Sequence, residues 1–299
     1  MSVLPGTAAA AMPDICVVVP HYNDLARLDL CLAALERQTV PRGRFEIVVA
    51  DNMSPCGLAA VEQVIAGRAR LAACAERGAG PTRNTGVAAT QCPLLAFTDS
   101  DCVPAPDWLA QGVAALSNAD VVGGEMVVTV RVAGQRSGAE AFEQLFAFDN
   151  RRYVERLGFT VTANLFTRRA VFGAVGGFRT QVSEDAEWCA RATAQGFSLS
   201  YAAGAVVAHP ARENWEQLLN KWRRMQQERF CLMAGQPWGR VRWWLRSLAL
   251  PFSAVAHAPR VLLSAGLDSW GERWRALGTL FAVRLWRFAD AQRLMIGRR

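Results

Sequence analysis

Continuous apolar runs alternate along the first hundred residues with stretches whose apolar positions recur every three or four residues. Ile15 to Val19 is wholly apolar and ends at Pro20, and Phe45 to Ala50 is interrupted only by Glu46 and ends at Asp51. Both read as strands buried on two faces. Arg70 to Cys74 and Pro93 to Thr98 predict two more. Between them, Leu28 to Gln38, Leu58 to Ala66 and Pro81 to Thr90 carry the helical period. The alternation predicts an α/β fold, a mostly parallel sheet with helices on both faces.

Beyond Asp101 the rhythm changes. Asp107 to Leu116 predicts a helix, Asp120 to Val132 a strand, and Glu140 to Leu157 one long helix. Arg168 to Val175 is a short helix, and Gly176-Gly177-Phe178 a turn. Ser183 to Gln195 is a helix with Ser183 as N-cap. Leu199 to Ala208 is a strand that runs into His209. From Asn214 onward the pattern is helical only. The expected domains are a tail without order over 1–13, a catalytic domain over 14–213 and a helical region over 214–299.

Composition sharpens this division. The 299 residues are 52% hydrophobic and 20% charged, which excludes a disordered chain. The net charge of +7 is unevenly spread: Lys221 to Arg299 holds fifteen basic and four acidic residues, leaving a mildly acidic body. Seven of the ten tryptophans lie in that basic stretch, interleaved with arginines. The eight cysteines form no CxxC pair and no zinc-like spacing, and are expected to be reduced thiols in a cytoplasmic protein. No secretory signal is legible in the first dozen residues.

Ligands of open α/β sheets bind beyond the carboxyl ends of the strands. Asp51 and Asp99 each stand just after a strand, at that edge. In Asp99-Ser100-Asp101, alternation along an extended segment would turn both carboxylates to one pocket. Such hard oxygen donors suit Mg²⁺ or Mn²⁺, which neutralises charge on a departing diphosphate. Alone, the triplet reads equally as a loop with solvated acids.

Its setting is more specific. Pro20-His21-Tyr22-Asn23-Asp24 follows the first strand, Asp51-Asn52-Met53-Ser54 the second, and Gly80-Pro81-Thr82-Arg83-Asn84-Thr85-Gly86 precedes the fourth. From Ile15 to about Pro210 the sequence resembles a family 2 glycosyltransferase of the GT-A fold, an inverting enzyme. The resemblance implies that Pro20 and Tyr22 lie by the donor nucleotide and that Asp51 contacts its base, uracil in a UDP-sugar. It places Arg83 near the nucleotide, Asp99 and Ser100 on the donor with Asp99 facing ribose and metal, and Asp101 on the metal. Glu184-Asp185 is similar to the family's acceptor-side motif, which makes Asp185 the general base, with Glu184 in reserve and on the acceptor side. Without the resemblance these acids simply complement a helix dipole. By the same likeness His209 joins the Mn²⁺ or Mg²⁺ and Asn164 lines the acceptor side. A structural histidine and a turn or capping asparagine remain the competing readings.

The tail carries three readings. Trp238 to Leu263 and Trp270 to Ile296 suit helices lying in a membrane interface, with Arg at headgroups and Trp at the boundary. Nucleic-acid binding is disfavoured, and a helical cap on the catalytic body is the plain alternative. Arg246 and Arg260 bracket only thirteen residues, short of the roughly 20 that span a bilayer. Lys221-Trp222-Arg223-Arg224-Met225 differs in order from the Gln-x-x-Arg-Trp motif of processive relatives, which argues for single-sugar transfer. The reading is therefore a transferase moving a sugar from a nucleotide donor to a carbohydrate or lipid-linked hydroxyl, in cell-surface polysaccharide or glycolipid synthesis, peripheral at the inner face of the membrane. The alternatives are a silent nucleotide-sugar or membrane scaffold and a sugar-1-phosphate nucleotidyltransferase. The latter lacks the Gly-rich loop expected after the first strand.

Overall fold

Strand β1 (Ile15–His21) buries six of its seven residues, as its unbroken apolar run requires. The structure, a computed structural model, describes residues 13–180 and 182–297, so the tail expected over 1–13 lies, apart from Pro13, outside the described residues. After helix α1 (Leu25–Glu36), β2 (Phe45–Asp51) returns parallel to β1 in a register that sets His21 opposite Asp51. Helix α2 (Leu58–Ile65) leads to β3 (Arg70–Ala73), parallel to β2, and α3 (Ala79–Ala88) leads to β4 (Leu94–Phe97), parallel to β1 on its other side.

The second half of the sheet is antiparallel where pairing is defined. Strands β5 (Val103–Pro104) and β6 (Val121–Thr129) flank helix α4 (Trp108–Ala115). Strand β7 (Leu165–Arg168) pairs antiparallel with both β4 and β6. It is absent from the sequence expectation: four residues between a 3-10 turn and helix α7 (Arg169–Val175) are too few to show a period. With β8 (Leu199–Pro210) the sheet order is β3-β2-β1-β4-β7-β6-β8-β5.

The helix expected over Glu140 to Leu157 is instead broken. Helix α5 (Gly138–Phe146) ends, and α6 (Asn150–Arg152) runs into a π-turn over Tyr153–Leu157. Asn150 turns inward, donating to Gly124 O at 2.6 Å and accepting from Val161 N–H at 3.2 Å. Helical periodicity runs through such a break, because apolar spacing does not register a side chain that bonds distant backbone.

The chain divides into two units, residues 1–125, 150–178 and 188–207 in one and residues 126–149, 179–187 and 208–299 in the other. The first holds the sheet and an aromatic cluster in which Phe97, Phe172, Phe178 and Trp188 pack together, mostly edge-on or tilted, Trp188 from helix α8 (Glu184–Ala194). In the second, α5 packs with α9 (Trp215–Ala234), α10 (Gly239–Leu262) and α11 (Trp270–Ile296) around Phe142, Leu218, Val261 and Leu280. None of the described helices is long and apolar enough to cross a membrane. On α10, Val241, Leu245, Phe252 and Val255 form an exposed apolar stripe on a helix with no acidic residue.

Within this unit Glu143 on α5 is almost fully buried. It accepts from Lys221 Nζ at 2.6 Å and from Arg212 N–H at 2.8 Å. Burial pushes its carboxyl up, but Lys221 and Arg212 outweigh that and hold it below the usual range. A depressed carboxyl stabilises the fold above its unfolded pKa and loses that contribution as pH falls. Glu143→Ala leaves two cations uncompensated and is expected to cost about 3–5 kcal/mol at pH 7, measured by urea denaturation. The difference from wild type should shrink in acid. Equal stability at pH 7 would remove this pair from the account.

Candidate donor and acceptor site

The carboxyl end of the parallel strands is organised around Asp51, whose side chain has no exposure. Its Oδ1 accepts from Ser54 N–H at 2.8 Å, and its Oδ2 accepts from Ser54 Oγ at 2.6 Å and pairs with His21 Nδ1 at 2.8 Å. His21 Nε2 in turn accepts from Asp24 N–H at 3.2 Å. An accepting Nε2 places the ring proton on Nδ1, so neutral His21 donates to Asp51. Burial pushes the Asp51 carboxyl up, yet Ser54 and His21 together bring it below its ordinary value. Ser54 Oγ also accepts from Asn23 N–H at 2.8 Å, which holds Asn23 at φ 52°. One buried acid thus shapes the two loops that carry Tyr22, which is 59% exposed, and Met53.

Helix α3 supplies the next layer. Arg83 is buried and pairs with Asp99 Oδ1 at 2.5 Å across the end of β4. Asn84 donates to Phe178 O and accepts from Phe178 N–H, both at 2.8 Å, so it fixes the turn after α7. Gly86 faces β1 so closely that a Cβ would lie 2.5 Å from Val18 Cγ1. Three neighbouring residues therefore do three jobs: charge, turn and close approach.

Asp99-Ser100-Asp101 is not extended. Cys102 N–H donates to Asp99 O at 3.0 Å and closes a turn over the triplet. The alternation expected of an extended segment does not apply; the turn itself presents half-buried Asp99, Ser100 and Asp101 at the sheet edge. Below it, burial and then the charges of Asp101 and Asp99 push the Cys31 and Cys102 thiols well up. Strand β5 follows directly, and Ala105 N–H donates to Val206 O of β8 at 2.9 Å, three residues before His209. His209 is buried and stacks edge-on with Phe148 at 5.1 Å.

Asn164 has no exposure. Its Oδ1 accepts from Trp108 Nε1 at 2.9 Å, and its Nδ2 donates to Glu125 O and Ala205 O at 2.9 and 2.8 Å. The amide is spent on joining α4, β6 and β8.

Glu184 and Asp185 open α8. Asp185 Oδ1 accepts from Ser183 Oγ at 2.9 Å and Ala186 N–H at 2.7 Å, while Ser183 O accepts the first helical bond from Glu187. Glu228 on α9 belongs to the same unit. Its carboxyl is pushed up by burial, opposed by Arg224, and raised further by the charges of Glu184 and Asp185.

Sequence reasoning passed over His21, Ser54, Asn84 and Glu228. The first three lie inside the quoted motifs, but only register and turns reveal their partners. Glu228 lies some forty residues from the acids it faces, and no local pattern links them.

A family model described as glycosyl transferase family 2 matches residues 16–178, more than half of the chain. The chain belongs to this family. It is 31% identical over 222 residues to a glycosyltransferase, AglE, of Haloferax volcanii, covering 72% of each chain. It is 34% identical over 116 residues to validoxylamine A glucosyltransferase of Streptomyces hygroscopicus subsp. jinggangensis, covering 38% of this chain and 27% of that one. In fold it is similar to the mannosyltransferase PcManGT of Pyrobaculum calidifontis, solved with GDP-Man and Mn²⁺, at TM-score 0.63 and 17% identity over all of this chain and 91% of that one. It is also similar to TarS of S. aureus, at TM-score 0.50 and 19% identity over 71% and 39%. The protein is thus a family 2 glycosyltransferase with a GT-A-like sheet and added C-terminal helices.

Ser54→Ala removes partners from both Asp51 and Asn23. It is expected to cost about 1–3 kcal/mol in denaturant unfolding. Gly86→Ala should cost a similar amount by forcing α3 off β1. Unchanged midpoints for both would show that this edge tolerates slack.

Proposed function

We propose that this glycosyltransferase moves a sugar from a nucleoside diphosphate, UDP first among donors, to a hydroxyl acceptor with inversion at the anomeric carbon. The observation that carries this reading is the Arg83–Asp99 pair beside the Asp99–Asp101 turn, at the strand ends where such sheets bind ligands. Pro20, Tyr22 and Asp51 form the nucleotide end in this proposal, and Asp51 acts by holding the loop as well as by its charge. Ser100 and Asp99 meet the donor, and Arg83 orients Asp99.

In this proposal the carboxylates Asp99 and Asp101 hold Mn²⁺ or Mg²⁺, and the imidazole of His209 is of a type that can complete such a set. When bound, such an ion supplies charge neutralisation on the leaving diphosphate. PcManGT was solved with GDP-Man and Mn²⁺, which makes GDP-sugars the second donors to try. Asp185 takes the proton from the attacking hydroxyl as it leaves, with Glu184 beside it on the acceptor side. Asn164 supports that side indirectly, through β6 and β8. The apolar stripe of α10, flanked by Arg240, Arg242, Arg246 and Arg260, supports peripheral contact with an anionic membrane surface and a lipid-linked acceptor.

Nucleotide release from UDP-sugars, and from GDP-sugars in parallel, should require Mn²⁺ or Mg²⁺ and vanish with EDTA. Asp101→Asn should lose metal-dependent donor binding. Asp185→Asn should bind donor normally and lose about 10²–10⁴ in kcat. Normal turnover by Asp185→Asn removes the base, and metal-independent turnover removes the metal.

A further inference from the structure

Helices α9 and α11 carry a second cationic feature that the donor site does not use. Trp222 and Gln226 lie one turn apart on α9, and Arg284 and Arg287 one turn apart on α11. The Arg287 guanidinium lies 4.0 Å over the Trp222 ring, and its Nε donates to Gln226 Oε1 at 3.4 Å. Gln226 Nε2 donates to Asp290 at 2.8 Å, and Asp290 is paired with Arg293, also at 2.8 Å. The one acid of this contact is therefore occupied. Arg284 Nε and Trp222 Nε1 are buried without a hydrogen-bond partner, and neither Arg284 nor Arg287 has an acidic partner among the described residues. Burial, then the charges of Arg284 and Arg229, pulls Arg287 down to about 9.

Buried donors are ordinarily satisfied, and like charges are not ordinarily gathered without a counterion. Two orphan N–H groups and two guanidinium groups, with no free acceptor, call for an anion of several oxygens. We propose that Arg284, Arg287 and Trp222 form a site for a phosphate or diphosphate group, the head of an alkyl diphosphate acceptor. Guanidinium forks match phosphate oxygens, and the indole N–H adds a single donor.

Two placements assign the group to the acceptor. Glu228, on the same helix α9, is raised by the charges of Glu184 and Asp185, so the acceptor-side acids lie within electrostatic reach of this helix. On α10 the exposed apolar stripe offers a surface for an alkyl chain. The assignment to the acceptor rests on the proposed role of Asp185; the anion site itself does not.

The test is calorimetric titration of the full chain with inorganic pyrophosphate and with farnesyl diphosphate, in EDTA. Both probes should bind wild type. Arg284→Met should weaken both by about tenfold or more, while leaving Mn²⁺-dependent UDP binding unchanged and the thermal midpoint equal or higher, since an orphan charge is removed. A purely structural arginine would lower the midpoint instead. Arg287→Lys, which keeps charge but loses the fork, provides a second variant. Tighter binding of farnesyl diphosphate than of pyrophosphate places the phosphate on a lipid, and equal binding places it on a free ion. No binding by wild type, equal binding by Arg284→Met, or pyrophosphate displaced by UDP would overturn the site. If Asp185→Asn transfers normally while Arg284→Met loses the probes, the base assignment fails and the anion site stands.

Discussion

A charge with no access to water must be answered inside the protein, and Asp51 is that charge. Its two oxygens are met by Ser54 and His21, so the loops after β1 and β2 are tied to it. The consequences run outward. His21 must keep its proton on Nδ1, which lets Nε2 cap Asp24 N–H and start α1. Ser54 must face inward, which draws Asn23 into its left-handed turn. Asn52, next in the chain, donates to Cys74 O and Glu76 O and accepts from Gly78 N–H, so the loop before α3 is tied to the same edge. The site is rigid because a single desolvated acid would be left unpaired if it moved.

Arg83 and Asp99 repeat the logic with one difference. Arg83 is buried, whereas Asp99 keeps about a third of its side chain exposed. The pair is therefore half a structural bridge and half an open acid, and the open half lies on the turn that the Cys102 amide closes. Asn84 and Gly86 keep the helix that carries Arg83 in place, one by gripping the Phe178 backbone and the other by letting α3 sit on Val18. This is why a short run of residues is so demanding of type: each faces a different neighbour.

Much of this was legible beforehand, for a physical reason. Buried parallel strands must be apolar throughout, so β1, β2 and β4 declare themselves, and the acids just after them mark the ligand edge. What was hidden depended on partners distant in sequence. Strand β7 is set by its two neighbours and has no period of its own. Asn150 breaks a helix that apolar spacing carries straight through. Asn164 resembled a ligand contact, but its amide is consumed by Trp108, Glu125 and Ala205. The turn at Asp99–Asp101 was mistaken for extended chain because hydrogen bonds from Cys102 leave no trace in composition.

The two charge clusters of the helical unit show what distinguishes structure from readiness to bind. Around Glu143 the books balance: one buried acid meets Lys221 and the Arg212 backbone, and Arg212's guanidinium lies 3.6 Å away. Such a cluster holds α5 to α9, because its acid has a cation for a partner within the unit. Around Arg287 the partners are the Trp222 ring face and Gln226 Oε1, and the acid nearby is already taken by Arg293. A fold selected only for stability would replace Arg284 with an apolar residue, because its buried Nε has lost hydration without gaining a partner. Its presence on α11 is explained when an anion completes it.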